Sequence, residues 1–149
     1  MTAVKTKTYF IDSNIFLRVL IKEDSKSFQE CLRILKLVRE NQISAATSTL
    51  VLAEIGWTLK SFYKTPKNKI TEMIESIVNL RGLKIVDQFD PNLALEFFRR
   101  FNIKLIDAFI ASLKPIAEKK WVIVSYDKDF QKLPILATLP SSINPQELK

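Results

Sequence analysis

The chain has 149 residues, of which 47% are hydrophobic and 26% charged, a profile typical of one globular domain spanning residues 1–149. It contains no histidine, one cysteine and two glycines, which excludes histidine-based catalysis, zinc sites rich in cysteine or histidine, and glycine-rich phosphate loops. The formal net charge of +7 favours a polyanionic partner, although a lysine-rich surface also serves solubility alone.

Apolar residues recur with the period of strands in some stretches and with the period of helices in others. In chain order, the pattern predicts a strand over 8–11, helices over 14–21 and 27–40, a strand over 43–46, helices over 48–63 and 66–82, a strand over 83–86, helices over 91–101 and 105–119, and a strand over 121–125. The prolines beyond residue 130 indicate turns, with room for one edge strand.

Several predicted helices carry residues that suit their ends. Ser27 and Glu30 have the spacing of a capping box, which predicts that Ser27 caps the second helix. Ser48 is a candidate cap for the third helix, and Pro66 suits the first position of the fourth. Pro115 lies inside the last predicted helix and should kink or shorten it, because proline cannot donate the helical hydrogen bond.

Strands that alternate with helices imply a three-layer α/β/α fold with a central, mostly parallel sheet of four to five strands. In such sheets, ligands bind at the carboxyl ends of the strands. The sequence therefore predicts that a functional site lies along that edge.

Four acidic residues occur inside apolar stretches, where charged side chains are uncommon. Asp12 ends the first strand, and Asp127 comes two residues after the strand that ends at Ser125. Glu54 and Asp107 lie in early turns of helices that begin at the same edge of the sheet. Side chains from these distant stretches are therefore expected to converge on one rim.

Converging carboxylates repel one another unless a cation is present. Oxygen ligands suit Mg²⁺, Mn²⁺ or Ca²⁺, and such an ion lowers the pKa of water and stabilises charge on a phosphodiester. Each acid also has a structural interpretation: Asp12 as a helix cap, Glu54 as a partner of a lysine, Asp107 as a complement to a helix dipole, and Asp127 with Asp129 as turn formers. Their joint placement on one edge favours the metal site.

Four segments carry these acids or adjoin them: FIDSN at 10–14, LVLAEI at 50–55, IDAFIA at 106–111 and VSYDKDF at 124–130. In order and spacing they resemble the motifs of PIN domains, and within that family they are most similar to VapC-type toxins of toxin–antitoxin pairs. The resemblance spans residue 8 to about 133. Each motif alone is weak, whereas four in order, in a domain of this size, are fairly specific.

The resemblance implies a Mg²⁺- or Mn²⁺-dependent endoribonuclease that hydrolyses RNA phosphodiesters. It also implies a homodimer and, for a toxin, inhibition by a small antitoxin protein. The residues that match the family's catalytic, metal-binding acids are Asp12, Glu54, Asp107 and Asp127.

Three further residues match polar positions of the same motifs. Asp129 is a rival or helper of Asp127 in metal binding, because family members differ in which acid of the last motif serves the metal. Asn14 and Ser125 match polar residues that support the metal-binding acids. Basic side chains would hold the RNA backbone, and the candidates are Arg18, Lys22, Lys60 and Lys64, each of which also suits an ordinary solvated surface.

Two other functions remain open. Phosphatases of the haloacid-dehalogenase type also place an Asp at the end of the first strand, but they carry a second Asp two residues later, where this chain has Asn14. A non-catalytic PIN-like module that binds nucleic acid or acts as a scaffold would use the basic charge and leave the acids without a role.

Cellular location and assembly follow from weaker signals. No apolar run approaches the roughly 20 residues of a membrane helix, and the apolar stretch before Asp12 is too short for a signal peptide. We therefore expect a cytoplasmic protein without a membrane partner. The aromatic and aliphatic residues between 62 and 78 predict a dimer surface.

Overall fold

Strands and helices alternate along the computed structural model, which describes residues 7–145. The strands are β1 (Thr8–Ile11), β2 (Ser44–Thr47), β3 (Leu83–Ile85), β4 (Trp121–Val124) and β5 (Leu136–Thr138). The helices are α1 (Ser13–Ile21), α2 (Ser25–Arg39), α3 (Thr49–Ser61), α4 (Lys67–Val78), α5 (Pro91–Arg100), α6 (Leu105–Ala111) and α7 (Lys114–Ala117). Short 3₁₀ helices cover Lys128–Lys132 and Pro140–Ser142.

The five strands form one sheet in the order β3-β2-β1-β4-β5, and every pairing is parallel. This confirms the predicted α/β fold and its sheet of four to five strands. The chain builds outward from β1 to β3 and then returns to the other side of β1 to add β4 and β5. A topological switch point therefore lies between β1 and β4, which is where open α/β sheets form their binding crevices.

The central strands are buried because helices cover the sheet. Phe10, Ile11, Ile123 and Val124 have no measurable exposure, which is expected of parallel strands covered on both faces. In the pairing of β1 with β4, Ile11 lies opposite Val124. The residues that follow these two strands are therefore side by side at the carboxyl edge.

Two helix boundaries differ from the sequence predictions. Asp24, not Ser27, caps α2, because the Asp24 carboxylate accepts a hydrogen bond from the backbone N–H of Ser27 at 3.0 Å. Pro66 precedes the first helical position of α4 instead of occupying it. Asp and Ser cap equally well, so spacing alone chose the wrong residue for α2.

Other predicted boundaries are confirmed. Ser48 caps α3 by accepting from the N–H of Val51, and Asp90 caps α5 by accepting from the N–H of Leu93. The helix predicted over 105–119 is divided into α6 and α7, with Pro115 in the first turn of α7. Proline thus shortened the helix as expected. Within residues 7–145, no helix has the length and apolar content needed to cross a bilayer.

Candidate active site

Asp12 lies at the carboxyl end of β1 and begins helix α1. Its backbone N–H donates to the carbonyl of Val124 at 3.1 Å, which holds the end of β1 against β4. Its Oδ1 accepts from the backbone N–H of Ser13 at 2.8 Å, so Asp12 is also a helix cap. Asp12 is only 3% exposed, so its carboxyl group is largely shielded from water.

Ser125 and Asn14 join Asp12 to the end of β4. The hydroxyl of Ser125 donates to Asp12 Oδ2 at 2.6 Å and accepts from Asn14 Nδ2 at 3.0 Å. Asn14 Nδ2 also approaches Asp12 Oδ2 at 3.2 Å, and Asn14 Oδ1 accepts from the backbone N–H of Tyr126. Both residues therefore contact the first acid.

Three carboxylates form the tightest acidic cluster in the described part of the chain. Asp107, Asp127 and Asp129 each offer an oxygen, and these oxygens lie within 4.8 Å of one another. Asp107 comes from α6, whereas Asp127 and Asp129 come from the turn after β4. We call these three residues the acidic trio. Both members of the predicted Asp127 and Asp129 pair are part of it.

Lys104 lies against this trio and was not predicted. Its Nζ is 2.5 Å from Asp127 Oδ2 and 3.7 Å from Asp107 Oδ2, and its backbone N–H donates to Asp129 Oδ2 at 3.2 Å. Lys104 immediately precedes α6, and no local pattern in the sequence marked its contact with the acids. Lys132 also contacts the trio, donating to Asp129 Oδ1 at 3.1 Å.

One oxygen of Asp107 lacks a hydrogen bond. Among the described residues, Asp107 Oδ2 is the buried side-chain oxygen or nitrogen left without a hydrogen-bond partner, and Asp107 is 2% exposed. A buried polar atom without a partner is costly, and a metal ion is one way to remove that cost. The donor set consists of carboxylate oxygens, which are the ligands that Mg²⁺ and Mn²⁺ prefer. The residues present therefore fit a divalent cation.

Burial and mutual repulsion shift the pKa values of two acids upward. Desolvation is the largest cause for Asp107, whose pKa rises to about 8, and repulsion by Asp127 and Asp12 adds to it against the attraction of Lys104. Desolvation also raises the pKa of Asp12 to about 6, although hydrogen bonds from Ser125 and Ser13 oppose the shift.

Lys104 and Asp127 show the opposite behaviour because they are paired. Burial lowers the pKa of Lys104, but the hydrogen bond to Asp127 and the charges of Asp107, Asp127 and Glu54 raise it more, so the ammonium group stays charged. Burial raises the pKa of Asp127, but the hydrogen bond from Lys104 and other contacts lower it by more, so the net pKa lies below the ordinary value.

Glu54 faces the same group of charges from helix α3. Its charge raises the pKa of both Asp12 and Lys104, which requires the carboxylate to lie near them. Glu54 is half-buried, at the margin of the core. Glu54 is not part of the acidic trio, and neither is Asp12. The five predicted acids therefore form a close group of three, with Asp12 and Glu54 beside it.

The predicted RNA-binding residues are exposed and lie outside the acidic cluster. Arg18 packs over the ring of Tyr126 at 4.8 Å, and it lines a surface cavity of about 300 Å³ together with Asn14 and Tyr63. Because Asn14 contacts Asp12, this cavity adjoins the site. Lys22 lies over the ring of Phe28, and no ion pair joins Lys22, Lys60 or Lys64 to the site acids within residues 7–145.

Comparison with known protein families decides the classification. The PIN domain family model matches residues 9–136, which include the site acids and all of the sheet except the first residue of β1 and the last two of β5. The chain belongs to the PIN domain family. This confirms the resemblance that the sequence motifs indicated. Curated protein sequences provide no match.

Solved structures share the fold of this PIN domain at low sequence identity. VapBC2 from Rickettsia felis, bound to a DNA fragment from its promoter, is 22% identical with a TM-score of 0.64, over 89% of this chain and 98% of that chain. VapC20 from Mycobacterium tuberculosis, a toxin that cleaves the sarcin–ricin loop, is 16% identical with a TM-score of 0.61, over 86% and 96%. A toxin–antitoxin complex from Klebsiella pneumoniae is 18% identical with a TM-score of 0.58, over 91% and 99%.

Proposed function

We propose that this protein is a metal-dependent endoribonuclease and the toxin of a VapBC-type toxin–antitoxin pair. The observation that carries the proposal is the buried, unpartnered Oδ2 of Asp107 within a cluster of carboxylates at the switch point of a PIN domain. Membership of the PIN family and the fold shared with VapC toxins support a nuclease. The net charge of +7 supports a nucleic-acid substrate.

The carboxylates that would hold a Mg²⁺ or Mn²⁺ ion are those of the acidic trio, with Asp12 and Glu54 beside them. A divalent ion bound there supplies Lewis-acid activation of water and neutralises the charge that develops on a phosphodiester. Ser125 and Asn14 fix the orientation of the Asp12 carboxylate through the hydrogen bonds described above. Arg18 lines the adjoining cavity, which supports the proposal that it binds a phosphate or a base of RNA.

Asparagine substitutions test the catalytic assignment. Asp12→Asn and Asp107→Asn keep the size of each side chain but remove its charge, so we expect Mg²⁺-dependent cleavage of a structured RNA to fall at least about 100-fold, at or beyond the loss typical of residues that only support a metal site. Glu96→Gln is the matched control, because Glu96 is an exposed acid on α5. Circular dichroism establishes that each variant is folded. A cleanly purified Asp107→Asn protein with full cleavage activity would end the proposal.

The same preparation separates the alternative functions. A non-catalytic nucleic-acid-binding module would retain RNA without cleaving it and would show no rise in melting temperature with Mn²⁺. A phosphatase of the haloacid-dehalogenase type would hydrolyse a small phosphomonoester, and we expect no such turnover.

The proposed partner is a small antitoxin, and the proposed substrate is RNA in the cytoplasm. Two of the structural relatives are toxin–antitoxin assemblies, which supports this partner. We expect expression of the chain alone to arrest growth of a bacterial host, and co-expression of the product of an adjacent short reading frame to restore it. Growth arrest by Asp107→Asn equal to that of the natural chain would contradict the toxin assignment.

A further inference from the structure

Lys104 occupies a position that helix electrostatics does not favour. It is the residue immediately before α6, and a positive charge near a helix N-terminus opposes the helix dipole. Its side chain nevertheless turns toward the acidic trio instead of extending into solvent, with Nζ between Asp107 and Asp127. The acids, not the helix, therefore determine where the ammonium group lies.

The ammonium group balances the charge of the trio but leaves one oxygen poorly satisfied. Nζ is 2.5 Å from Asp127 Oδ2, yet its distance of 3.7 Å from Asp107 Oδ2 is too long for a hydrogen bond. Asp107 Oδ2 is the buried oxygen without a partner. Lys104 thus partly neutralises the negative charge of the trio, but it does not hydrogen-bond to the buried Oδ2 of Asp107.

A divalent ion would compete with Lys104 for the same oxygens. Mg²⁺ and Mn²⁺ bind oxygen at about 2.1 Å, so an ion between two carboxylates needs oxygens about 4.2 Å apart or closer. The oxygens of the trio lie within 4.8 Å of one another, close to that requirement. An ion bound to Asp127 Oδ2 would meet the ammonium group at the same atom, and like charges repel strongly at such distances.

The exposed side chain of Lys104 has room to move away from the acidic trio into solvent. The side chain of Lys104 is 59% exposed, in contrast to 3% for the side chain of Asp107, so the ammonium group reaches the cluster from the solvent side. Its backbone contact with Asp129 involves the N–H group and does not depend on the position of the side chain.

We propose that Lys104 is a built-in counter-ion that occupies the metal position between Asp107 and Asp127 and must be displaced when a divalent ion binds. The inference rests on the proposed metal site. Lys104 thereby stabilises the metal-free protein, because its ammonium group then neutralises part of the charge of the carboxylates. It weakens metal binding, because this contact must be broken when the divalent ion binds.

Titration with Mn²⁺ alone, by isothermal calorimetry, tests the counter-ion directly. Lys104→Met keeps the length of the side chain without its charge, and we expect it to bind Mn²⁺ at least about fivefold more tightly than the natural protein, at the lower end of coupled binding effects. Lys128→Met is the matched control, because Lys128 is an exposed lysine next to Asp127 in sequence. We expect its Mn²⁺ affinity to change less than about twofold, and Lys104→Arg to retain weak binding.

Melting temperature provides a second readout that does not depend on activity. Without metal, Lys104→Met should unfold at a lower temperature than the natural protein, and saturating Mn²⁺ should remove most of the difference. A deficit that persists at saturating Mn²⁺ would show that Lys104 is only structural and would overturn the inference.

The outcomes distinguish this inference from the proposed function. If the natural protein binds Mn²⁺ and Lys104→Met binds it no more tightly, the counter-ion inference is wrong and the metal site stands. If neither protein binds Mn²⁺, both are wrong. Binding by Lys104→Met alone would support both.

Discussion

Asp12 and Asp107 retain protons at pH values where exposed carboxylates have lost them. Their pKa values of about 6 and about 8 arise first from burial and then from neighbouring carboxylates. The folded protein therefore binds protons that the unfolded chain, with ordinary carboxyl groups, has released. This difference makes stability depend on pH in a direction opposite to that of a salt-bridged acid.

Without metal, the stability of the protein should depend on pH. Because the unfolded chain binds fewer protons than the folded chain, the free energy of unfolding should fall as pH rises from 5 to 8. Asp107→Asn should flatten this decline, since the amide does not titrate. Urea unfolding in a chelator at several pH values measures both slopes, with Glu96→Gln as the control. A stability that rises steadily over this range would contradict the shifted pKa values.

The hydroxyl of Ser125 contacts Asp12, Asn14 and the backbone N–H of Asp127. Ser125→Ala should lower RNA cleavage by about 10- to 100-fold, as expected for loss of a group that orients a metal-binding acid. Ser125→Thr should recover much of the activity, because it restores the hydroxyl. Cleavage rates at saturating Mn²⁺ and a thermal melt of each variant make the measurement. Equal activity of the alanine and threonine variants would show that the hydroxyl is unimportant.

The sequence predicted the acidic residues of the site but not Lys104, the basic residue that contacts them. Asp12, Glu54, Asp107 and Asp127 stood out because each interrupts an apolar stretch, and the structure brings them near one another. Lys104 carried no such signal, since a lysine before a helix is ordinary on a protein surface. Its position depends on a contact with Asp127, 23 residues away, that local pattern does not encode.

Helices and strands were predictable wherever the signal is local. The pattern of apolar residues located the strands β1, β2, β3 and β4 to within one residue at each end, and Pro115 marked the break between α6 and α7. The exact caps were less predictable, because Asp24 and Ser27 are both good caps and tertiary contacts decided between them. Ser27 instead accepts a hydrogen bond from Arg18.

Substitution of the two glycines by alanine should change stability in opposite directions. Gly82, before β3, has φ of +88°, and an added Cβ would lie 2.4 Å from the carbonyl oxygen of Val38. Gly82→Ala should therefore destabilise the fold by at least about 1–3 kcal/mol. Gly56 lies inside α3, where an added Cβ would have its nearest contact at 4.0 Å from Ile70. Gly56→Ala should stabilise the protein by about 0.5–1 kcal/mol.

Chemical denaturation of the two variants beside the natural protein checks this pair. Gly82 immediately precedes β3 at the amino edge of the parallel sheet, opposite the carboxyl edge that carries Asp12 and Asp127, so folded Gly82→Ala should keep its Mn²⁺ affinity. Equal stability of the two variants would show that the backbone at Gly82 is not constrained as described.

For the molecule as a whole, exposed aromatic side chains at the end of α3 bear on assembly. Phe62 is 73% exposed and Trp57 is 70% exposed, in a protein whose other aromatic residues are mostly covered. Phe62 lies within the stretch 62–78 for which a dimer surface was predicted, and Trp57 lies just before it; the dimer stays a prediction.

We expect light scattering after size-exclusion chromatography to give about twice the chain mass of 17.2 kDa. Phe62→Ser should shift the protein toward the monomer, whereas Leu139→Ser, at another exposed apolar residue, should not. A monomer for the natural chain at micromolar concentration would remove the dimer from the proposal.

The placement of β1 at the centre of the sheet has a consequence for biosynthesis. The site needs Asp12 from one end of the chain and Asp127 and Asp129 from near the other, and α6, with Asp107, is translated late. A nascent polypeptide that has just emerged through α5 has none of the acidic trio. The proposed nuclease therefore cannot assemble its site until α6 and the segment after β4 have been synthesised, and a cut anywhere between α1 and α6 yields two fragments that must reassociate before either can contribute to cleavage.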